Sequence, residues 1–238
     1  MSSKSLTIDG TPVSFEDGDT IMDAATRAGI YIPHLCHDPE FTPQGSCKLC
    51  EVKVNGRNCS ACTFPAADGQ TVLNDTKELN DTRRTITQML FVEGNHLCPA
   101  CEKSGNCKLQ AVAYSLGMMD NRFPLFYPVR EVDASHPDIL LDRDRCIFCE
   151  LCVRASREAD GKNVFDIAGR GMKANLVVNS SSGLLKDSDL AVTDRAASIC
   201  PVGAIIIKRR GFRVPIGQRI FDHRPIGEVE TEKEGETA

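Results

Sequence analysis

Twelve cysteines determine the chemistry available to this chain of 238 residues. Eleven of them fall into three spaced groups, and Cys59 stands apart. The groups are Cys36, Cys47, Cys50 and Cys62, then Cys98, Cys101 and Cys107, and finally Cys146, Cys149, Cys152 and the distant Cys200. Thiolates at such spacings are the usual ligands of iron–sulfur clusters. The sequence therefore predicts several clusters in one chain and a role in electron transfer.

The first cysteine group has a spacing that favours a [2Fe–2S] cluster held by four thiolates from separate segments. The spacing is Cys36-x10-Cys47-x2-Cys50-x11-Cys62. The backbone N–H groups of Gly45 and Ser46 are suitably placed to donate to cluster sulfurs. A zinc site is the alternative, because Cys59-x2-Cys62 supplies a second C-x2-C pair. Zinc would leave Cys36 without a role.

The second cysteine group, with the spacing Cys98-x2-Cys101-x5-Cys107, supplies three thiolates and is one ligand short of a [4Fe–4S] cluster. His96 lies two residues before the group, and its ring nitrogen is the predicted fourth ligand. The remote Cys59 is the alternative fourth ligand.

The third cysteine group begins like the bacterial ferredoxin motif C-x2-C-x2-C-x3-C-P. Ser156 stands where that motif has its fourth cysteine, and the matching half of the motif survives only as Cys200-Pro201. This pattern predicts a single [4Fe–4S] cluster with Cys200 as the fourth ligand. Apolar neighbours should shield that cluster from water; these are Ile147, Phe148, Leu151, Val202 and Ile205.

Composition and other motifs limit the possible functions. The net charge is −5, which argues against nucleic acid as a partner. The N-terminal segment has no apolar run typical of a secretory signal, and no stretch is long enough for a membrane span. Clustered cysteines then indicate metal binding in a reducing cytoplasm. We find no G-x-G-x-x-G motif, phosphate loop or nucleophile–base pair, so we expect no catalytic residue in this chain.

Short elements surround the cysteines. Alternating residues 5–15 predict a β-hairpin with a turn at Asp9-Gly10, followed by a helix that begins at Asp19 or Thr20 and ends near Gly29. Residues 51–56 and 71–74 predict further strands. A helix from Asp75 or Thr76 to Gly94 and another after Cys107, ending near Gly117, should flank the second group. Their predicted core faces are Leu79, Ile86, Met89 and Leu90, and Leu109, Val112, Ala113 and Leu116.

These elements predict an α+β chain of small domains. The [2Fe–2S] domain covers residues 1–75, a helical histidine–cysteine [4Fe–4S] domain covers 76–119, and a single-cluster ferredoxin-like domain covers 138–207. A proline-containing linker joins the last two. Residues 208–238 form a basic segment that is a candidate for docking a partner, and then an acidic tail that we expect to be solvated.

Three modules resemble the N-terminal part of the large iron–sulfur subunit of respiratory complex I and of multi-cluster iron-only hydrogenases. The segments that carry the resemblance are IPHLC, GSCKLCEV and CTFPAADG, then NHLCPACEKSGNCKLQ, and finally RCIFCELCVRAS and ICPVGA. The resemblance implies a β-grasp [2Fe–2S] ferredoxin-like domain, a cubane with one histidine ligand and a bacterial-ferredoxin-like domain. This chain departs from the H-x3-C pattern, because the family's histidine position is Gly94 and His96 stands closer to Cys98.

The segments EGNH-x-CPACEKSGNC and PIGQR are most similar to the diaphorase gamma subunit of cytosolic NAD-reducing nickel–iron hydrogenases. That resemblance implies one [2Fe–2S] and two [4Fe–4S] clusters that relay electrons between two partners. The partners would be the nickel–iron hydrogenase small and large subunits and a flavin- and NAD-binding diaphorase subunit. An electron-transfer subunit of an NAD-dependent formate dehydrogenase is the alternative, and a zinc-stabilised interaction protein is a more distant one.

Overall fold

The computed structural model describes residues 4–232, in which ten β-strands and seven α-helices form three sheets with helices packed around them. The strands are β1 (Ser5–Ile8), β2 (Thr11–Ser14), β3 (Glu51–Val54), β4 (Arg57–Ser60), β5 (Thr71–Leu73), β6 (Val132–Asp133), β7 (Ile139–Asp142), β8 (Phe165–Ala168), β9 (Asn175–Val178) and β10 (Ile205–Ile207). The helices are α1 (Ile21–Arg27), α2 (Lys77–Val92), α3 (Lys108–Ser115), α4 (Leu151–Arg154), α5 (Arg195–Ser198), α6 (Ile220–His223) and α7 (Ile226–Thr231). Within this range, every helix is too short or too polar to cross a membrane.

The N-terminal sheet has five strands in the order β2-β1-β5-β3-β4. Strands β1 and β2 form the predicted hairpin, and its turn residues Asp9 and Gly10 have φ values of 48° and 82°. Positive φ at both turn positions matches the twist of the flanking strands. β5 pairs in parallel with β1 and antiparallel with β3, so it joins the hairpin to the strands around the first cysteine group. The sequence analysis did not predict β4.

Helix α1 covers this sheet and begins with a reciprocal cap. The Thr20 hydroxyl accepts a hydrogen bond from the Asp23 N–H at 3.2 Å, and the Asp23 carboxylate accepts from the Thr20 N–H at 2.8 Å. The helix ends before Gly29, which has φ 72°, as predicted. Its apolar side chains complete the N-terminal core; they are Ile21, Met22, Ala24 and Ala25.

Helix α2 begins after Thr76, whose hydroxyl accepts from the Leu79 N–H, and it ends before Gly94. These bounds confirm the predicted helix, but the predicted core face was wrong at Met89, which is 46% exposed. The buried face includes polar side chains, namely Arg83, Thr87 and Gln88. A polar face can be buried here because Arg83 donates to backbone carbonyls beside the first cysteine group.

Helix α3 packs against α2 and presents the predicted apolar face. Its buried residues are Leu109, Val112, Ala113 and Leu116, and Gly117 follows with φ 63°. The linker after α3 lies against both neighbouring parts, because the Phe126 N–H donates to the Val92 carbonyl and the Arg130 N–H donates to the Asp144 carboxylate. The linker therefore contacts the structure on either side of it.

The third part of the chain contains an antiparallel sheet in the order β10-β7-β6 and a separate hairpin of β8 and β9. Helix α4 continues into a single π turn, Ala155–Ala159, and packs against α5. Such a turn widens a helix locally and often lies at a functional site. Cys152 lies in α4 and Cys200 follows α5, so this packing brings the two ends of the third cysteine group together.

The C-terminal segment folds back onto the chain. Helix α7 packs against α1 and α3, and Glu230 pairs with Lys108 at 2.9 Å and with His34 at 3.5 Å. The expected solvated acidic tail is therefore wrong for Glu230. The part of that tail formed by residues 233–238 lies outside the described residues. Arg219, from the PIGQR stretch, is buried.

Two apolar cores hold these parts together. One lies between α1 and the N-terminal sheet. The other contains the second and third parts and also takes in Leu35, Cys36, Phe41 and Leu49 from the loops of the first part. The loop that carries Cys36 thus packs against the rest of the molecule, so the first cysteine group lies at the joint between the two cores.

Candidate metal centres

The first cysteine group comes together as two close pairs. The Cys36 sulfur accepts a hydrogen bond from the Cys47 N–H at 3.4 Å, and the Cys50 and Cys62 sulfurs lie 3.4 Å apart. In each pair the thiol–thiol hydrogen bond lowers the pKa of one thiol, Cys36 or Cys62, and raises the pKa of the other. Each pair therefore releases its first proton readily, as metal ligation by thiolate requires.

Backbone groups around the first group point at its sulfurs. The Ser46 backbone lowers the pKa of the Cys36 thiol, and the Gly45 backbone lowers the pKa of the Cys62 thiol. Gly45 has φ 66°, and a Cβ there would lie 3.2 Å from the Thr63 methyl group. Glycine at this position lets the loop approach the segment after Cys62 closely. The predicted N–H donors thus lie beside the ligand sulfurs.

Cys59 stays apart from the three groups. It lies in β4 opposite Val52, and burial raises the pKa of its thiol to about 11.

Within the described range, no set of three or more histidine, cysteine or acidic side chains converges as it would around a single metal ion. The cysteines of the second and third groups instead line cavities. None of the twelve cysteines, all of which lie in the described range, is joined to another by a disulfide bond.

The second group lines one cavity together with His96. Its wall contains His96, Cys98, Cys101, Cys107, Phe91, Leu109, Arg145 and Gly203. Burial, with the nearby Arg145 charge, lowers the pKa of His96 to about 4. The ring is therefore neutral at pH 7, which is the form that ligates metals. Nε2 of His96 is buried and has no hydrogen-bond partner among the described residues, so this nitrogen is available as a ligand.

The unusual spacing of His96 is explained by Gly94. A Cβ built on Gly94 would lie 2.5 Å from Nε2 of His96 and 2.8 Å from the Asp144 carbonyl oxygen. The imidazole therefore lies in the space into which a side chain at position 94 would project. In this H-x-C sequence the ring folds back over position 94, and glycine at that position leaves room for it.

The third group lines a second cavity. Its wall consists of Cys146, Cys149, Cys152, Cys200 and mainly apolar side chains, including Ile147, Phe148, Val202 and Ile205. Leu151, which we also expected to shield this site, is buried in the core but does not line the cavity.

The backbone of the third group is shaped for anionic sulfur. Phe148 and Glu150 have φ values of 53° and 57°, and the Phe148 N–H donates to the Cys146 sulfur at 3.4 Å. Left-handed residues between right-handed ones turn successive N–H groups to one side and create an anion-binding concavity. Ser156, at the missing cysteine position, is fully buried and accepts from the Val164 N–H at 2.7 Å. The Ser156 hydroxyl therefore stabilises the fold through this hydrogen bond.

The third site lies between the other two. Towards the first site, Arg154 donates to the carbonyl oxygens of both Cys36 and Cys149. Towards the second site, Arg145 donates to the Cys101 sulfur at 3.8 Å. Gly203 also lies against that sulfur, because a Cβ at this position would be only 3.0 Å from it. The order of the sites in space is therefore first, third and second, which differs from their order in the chain.

Four arginines are buried and were not predicted from the sequence, namely Arg83, Arg143, Arg154 and Arg219. Three of them, Arg83, Arg154 and Arg219, donate to backbone carbonyls in the segments that carry the cysteines. Arg83 donates to the carbonyls on either side of Cys50, and Arg219 donates to the Glu102 and Ser104 carbonyls between Cys101 and Cys107. Arginine is rarely buried, so composition gave no signal for these roles. Only the position of Arg154 two residues after Cys152 indicated such a role.

Comparison with known proteins assigns a domain family to each site. A 2Fe-2S iron-sulfur cluster binding domain matches residues 3–77, and the NADH-ubiquinone oxidoreductase-G iron-sulfur binding region matches residues 83–122. A 4Fe-4S single cluster domain matches residues 139–207. The three matches occur in the predicted order, and each contains one of the cysteine groups. The predicted cluster types and mixed helix and sheet content are confirmed at this level.

Similarity over almost the whole chain decides the family. The NAD-reducing hydrogenase HoxS subunit gamma of Cupriavidus necator is 43% identical over 218 residues, which are 91% of this chain and 92% of that protein. The chain belongs to the gamma-subunit family of NAD-reducing hydrogenases. A solved structure of an NAD⁺-reducing [NiFe]-hydrogenase in the H2-reduced state contains a chain that is 51% identical to this one, with a TM-score of 0.93 over 98% of this chain and 100% of that chain.

Larger relatives confirm the resemblance to complex I. The 78 kDa subunit of the NADH-ubiquinone oxidoreductase of Candida albicans is 30% identical over 87% of this chain but only 29% of its own length. The NADPH-Fe(3+) oxidoreductase subunit alpha of Geobacter sulfurreducens is 33% identical over 88% of this chain and 24% of its own length. This gamma-subunit family member therefore spans about a quarter of these larger proteins. These relatives do not favour the formate dehydrogenase alternative.

Proposed function

We propose that this chain is the electron-transfer subunit of an NAD-reducing nickel–iron hydrogenase. It would relay electrons between the hydrogenase small and large subunits and an FMN- and NAD-binding diaphorase subunit. The overall reaction, H2 + NAD⁺ to NADH + H⁺, is reversible and takes place in those partners. The cysteine usage continues to indicate the cytoplasm.

The proposed cofactors are one [2Fe–2S] and two [4Fe–4S] clusters, which accept and release one electron at a time when bound. The [2Fe–2S] ligands are Cys36, Cys47, Cys50 and Cys62, the first [4Fe–4S] ligands are His96, Cys98, Cys101 and Cys107, and the second [4Fe–4S] ligands are Cys146, Cys149, Cys152 and Cys200. The two close sulfur pairs of the first group suit two irons with two thiolates each. The apolar wall of the third site would exclude water.

The proposed architecture follows from the same sites. Residues 1–75 form a β-grasp [2Fe–2S] domain, 76–119 the helical histidine–cysteine domain, and 138–207 a bacterial-ferredoxin-like domain that keeps one cluster. The mixed five-stranded sheet crossed by α1 supports the first assignment. The two halves of the third group, joined by α4 and α5, support the last.

The observation that carries the proposal is the close succession of the three sites. Arg154 contacts two cysteines that belong to different sites, and Arg145 bridges the third site to Cys101. Electron transfer needs sites that lie near one another, whereas three independent structural metal sites do not. This arrangement suits a relay between two partner subunits.

Partner docking by residues 208–238 remains part of the proposal. Phe212, Val214 and Ile216 are 59%, 47% and 48% exposed, which is typical of an interaction surface when such side chains are adjacent. Deleting the whole segment is a poor test, because it would also remove Arg219 from the second site's loop. Replacing Val214 and Ile216 with serine tests docking without that defect, because the Arg219 guanidinium lies over the ring of Phe212, which is kept.

The decisive test is purification of the native complex, with the partners of this chain, from the organism that produces it. We expect nickel, iron, sulfide and hydrogen-dependent NAD⁺ reduction in one complex. Molybdenum or tungsten with formate-dependent NAD⁺ reduction would instead identify the formate dehydrogenase alternative. Zinc without sulfide would identify an interaction protein. A Cys146→Ala complex serves as the control, because it should keep its partners but lose hydrogen-dependent NAD⁺ reduction.

A further inference from the structure

Arg154 is a buried cation between two metal centres. It is 3% exposed and lies at the end of α4, two residues after Cys152. Its guanidinium donates to the Thr42 carbonyl at 2.9 Å, to the Cys36 carbonyl, and to the Cys149 carbonyl at 3.4 Å. Two of these acceptors belong to proposed ligands of different clusters, which lie more than a hundred residues apart in the chain.

The burial of Arg154 is not explained by ion pairing. Its hydrogen-bond acceptors are carbonyl oxygens, which carry no full charge, and Nε is buried without a hydrogen-bond partner in the part of the chain that the structure describes. An unsatisfied buried donor costs stability. A neutral amide side chain could donate to carbonyl oxygens without burying a charge, so the positive charge itself has a use at this place.

Neighbouring contacts show that Arg154 is not needed merely to attach the two parts. Arg195 pairs with Glu40 at 2.7 Å and with Asp38 at 3.3 Å across the same joint, and the Thr42 N–H donates to the Glu158 carboxylate at 3.1 Å. These contacts lie nearer the surface. They join the same two segments without touching a ligand carbonyl.

We propose that Arg154 holds the first and third sites at a fixed separation and raises the reduction potential of both clusters. This inference rests on the proposed function, since it requires clusters at both sites. A reduced cluster carries one more negative charge than an oxidised cluster, so a nearby cation stabilises the reduced state. Water screens this cation little because it is buried. The second site has no contact with Arg154 and serves as an internal reference.

The test compares Arg154→Gln and Arg154→Lys with Arg195→Gln in the complete complex, by redox titration monitored with EPR. Arg154→Gln should make the potentials of the [2Fe–2S] cluster and the third-site cubane more negative. The expected size is roughly tenfold in each reduction equilibrium, about 59 mV for one electron. The potential of the second-site cluster should stay unchanged in Arg154→Gln. All three potentials should stay unchanged in Arg195→Gln.

Arg154→Lys separates charge from structure. Lysine keeps the charge but lacks the planar fork that reaches three carbonyls. We expect both potentials to stay near those of the parent protein, while the magnetic broadening between the two reduced clusters changes because their separation is no longer fixed. If Arg154→Gln fails to assemble its clusters, this variant decides: retained potentials with changed magnetic broadening support the inference, whereas unchanged broadening, or potentials lowered at both sites, overturns it.

Other results overturn the inference without affecting the proposed function. These are unchanged potentials in Arg154→Gln, equal shifts at all three sites, or equal shifts in Arg195→Gln. Iron and sulfide analysis of the parent complex comes first, because absence of clusters there would contradict the proposed function itself. The two failures are thereby distinguished.

Discussion

Arg145 Nη1 donates to the Sγ of Cys101 at 3.8 Å, although Arg145 directly precedes the first cysteine of another site. Asp142 pairs with the same guanidinium at 2.9 Å and holds it in place. A cation beside a ligand sulfur stabilises the reduced cluster, because reduction adds negative charge. The contact therefore links the potential of the second site to a residue of the third.

Replacing Arg145 should change the second site most. We expect Arg145→Gln to make the midpoint potential of the histidine-associated cluster more negative, by up to about 59 mV, which is a tenfold change for one electron. An EPR-monitored redox titration measures this shift. Arg157→Gln is the control, since Arg157 is an exposed arginine of the same domain. A shift of equal size in both proteins would show that the contact with Cys101 has no special effect.

Replacing His96 with cysteine tests the proposed fourth ligand. Imidazole is neutral and thiolate is anionic, so histidine ligation favours the reduced state, as in Rieske centres. His96→Cys should therefore lower the midpoint potential of the second-site cluster, provided that the cluster assembles. The same titration checks it, and an unchanged potential would remove His96 from the ligand set.

Gly94→Ala should damage the second site through steric overlap. The added Cβ would lie 2.5 Å from the His96 ring and 2.8 Å from a backbone oxygen that cannot easily move. Overpacking of this kind costs about 1–3 kcal/mol. We expect loss of the second-site EPR signal, with the other two signals retained.

Gly227→Ala provides the matched control for that substitution. A Cβ on Gly227 would make ordinary contacts of 3.4–3.5 Å with the Tyr31 side chain, and the position lies inside α7, where alanine is favourable. It should retain all three EPR signals. Equal loss of the second-site signal in both variants would argue against the account of the H-x-C spacing.

Glu230 should make the docking of α7 dependent on pH. Its burial opposes ionisation, but His34 and Lys108 outweigh that effect and lower the pKa of Glu230 to about 2. An unfolded glutamate has a pKa of about 4.3, so the pairing stabilises the folded chain fully above that value. The stabilisation is lost as the pH falls through the range from about 4 to about 2.

Limited proteolysis of the C-terminal segment tests this pairing. Cleavage should be slow and constant between pH 7 and pH 5, and Glu230→Gln should accelerate it in that range because a charged hydrogen-bonded pair contributes about 1.5–3 kcal/mol. Glu232→Gln is the control, since that exposed carboxylate pairs with Arg224 and, within residues 4–232, with no other cation. Equal cleavage of both variants would contradict a specific role for Glu230.

Local signals in the sequence predicted most elements near the cysteines. The Asp9-Gly10 turn, the Thr20 cap and the stop at Gly117 each depend on neighbouring residues alone, and each was confirmed. Met89 was placed wrongly because a period of 3.6 residues cannot show which of two adjacent faces is buried when the buried face is polar. That face is occupied by Arg83, whose acceptors include the Leu49 carbonyl, 34 residues earlier in the chain.

The candidate sites were predictable to a similar extent. Cysteine spacing identified the three groups, and their convergence follows from chain segments close in sequence, apart from Cys200. The order of the sites in space and the roles of Arg145 and Arg154 depend on contacts between distant segments, which spacing does not encode. The fit between Gly94 and His96 required side-chain positions, although the departure from H-x3-C marked the place.

Iron and sulfide content, combined with EPR of the reduced protein, shows whether the three cysteine groups hold iron–sulfur clusters. We expect about ten iron atoms and ten sulfides per chain, because one [2Fe–2S] and two [4Fe–4S] clusters contain two, four and four of each. It also predicts three separable paramagnetic signals. Stoichiometric zinc with no acid-labile sulfide, or fewer than three signals at full iron content, would contradict it.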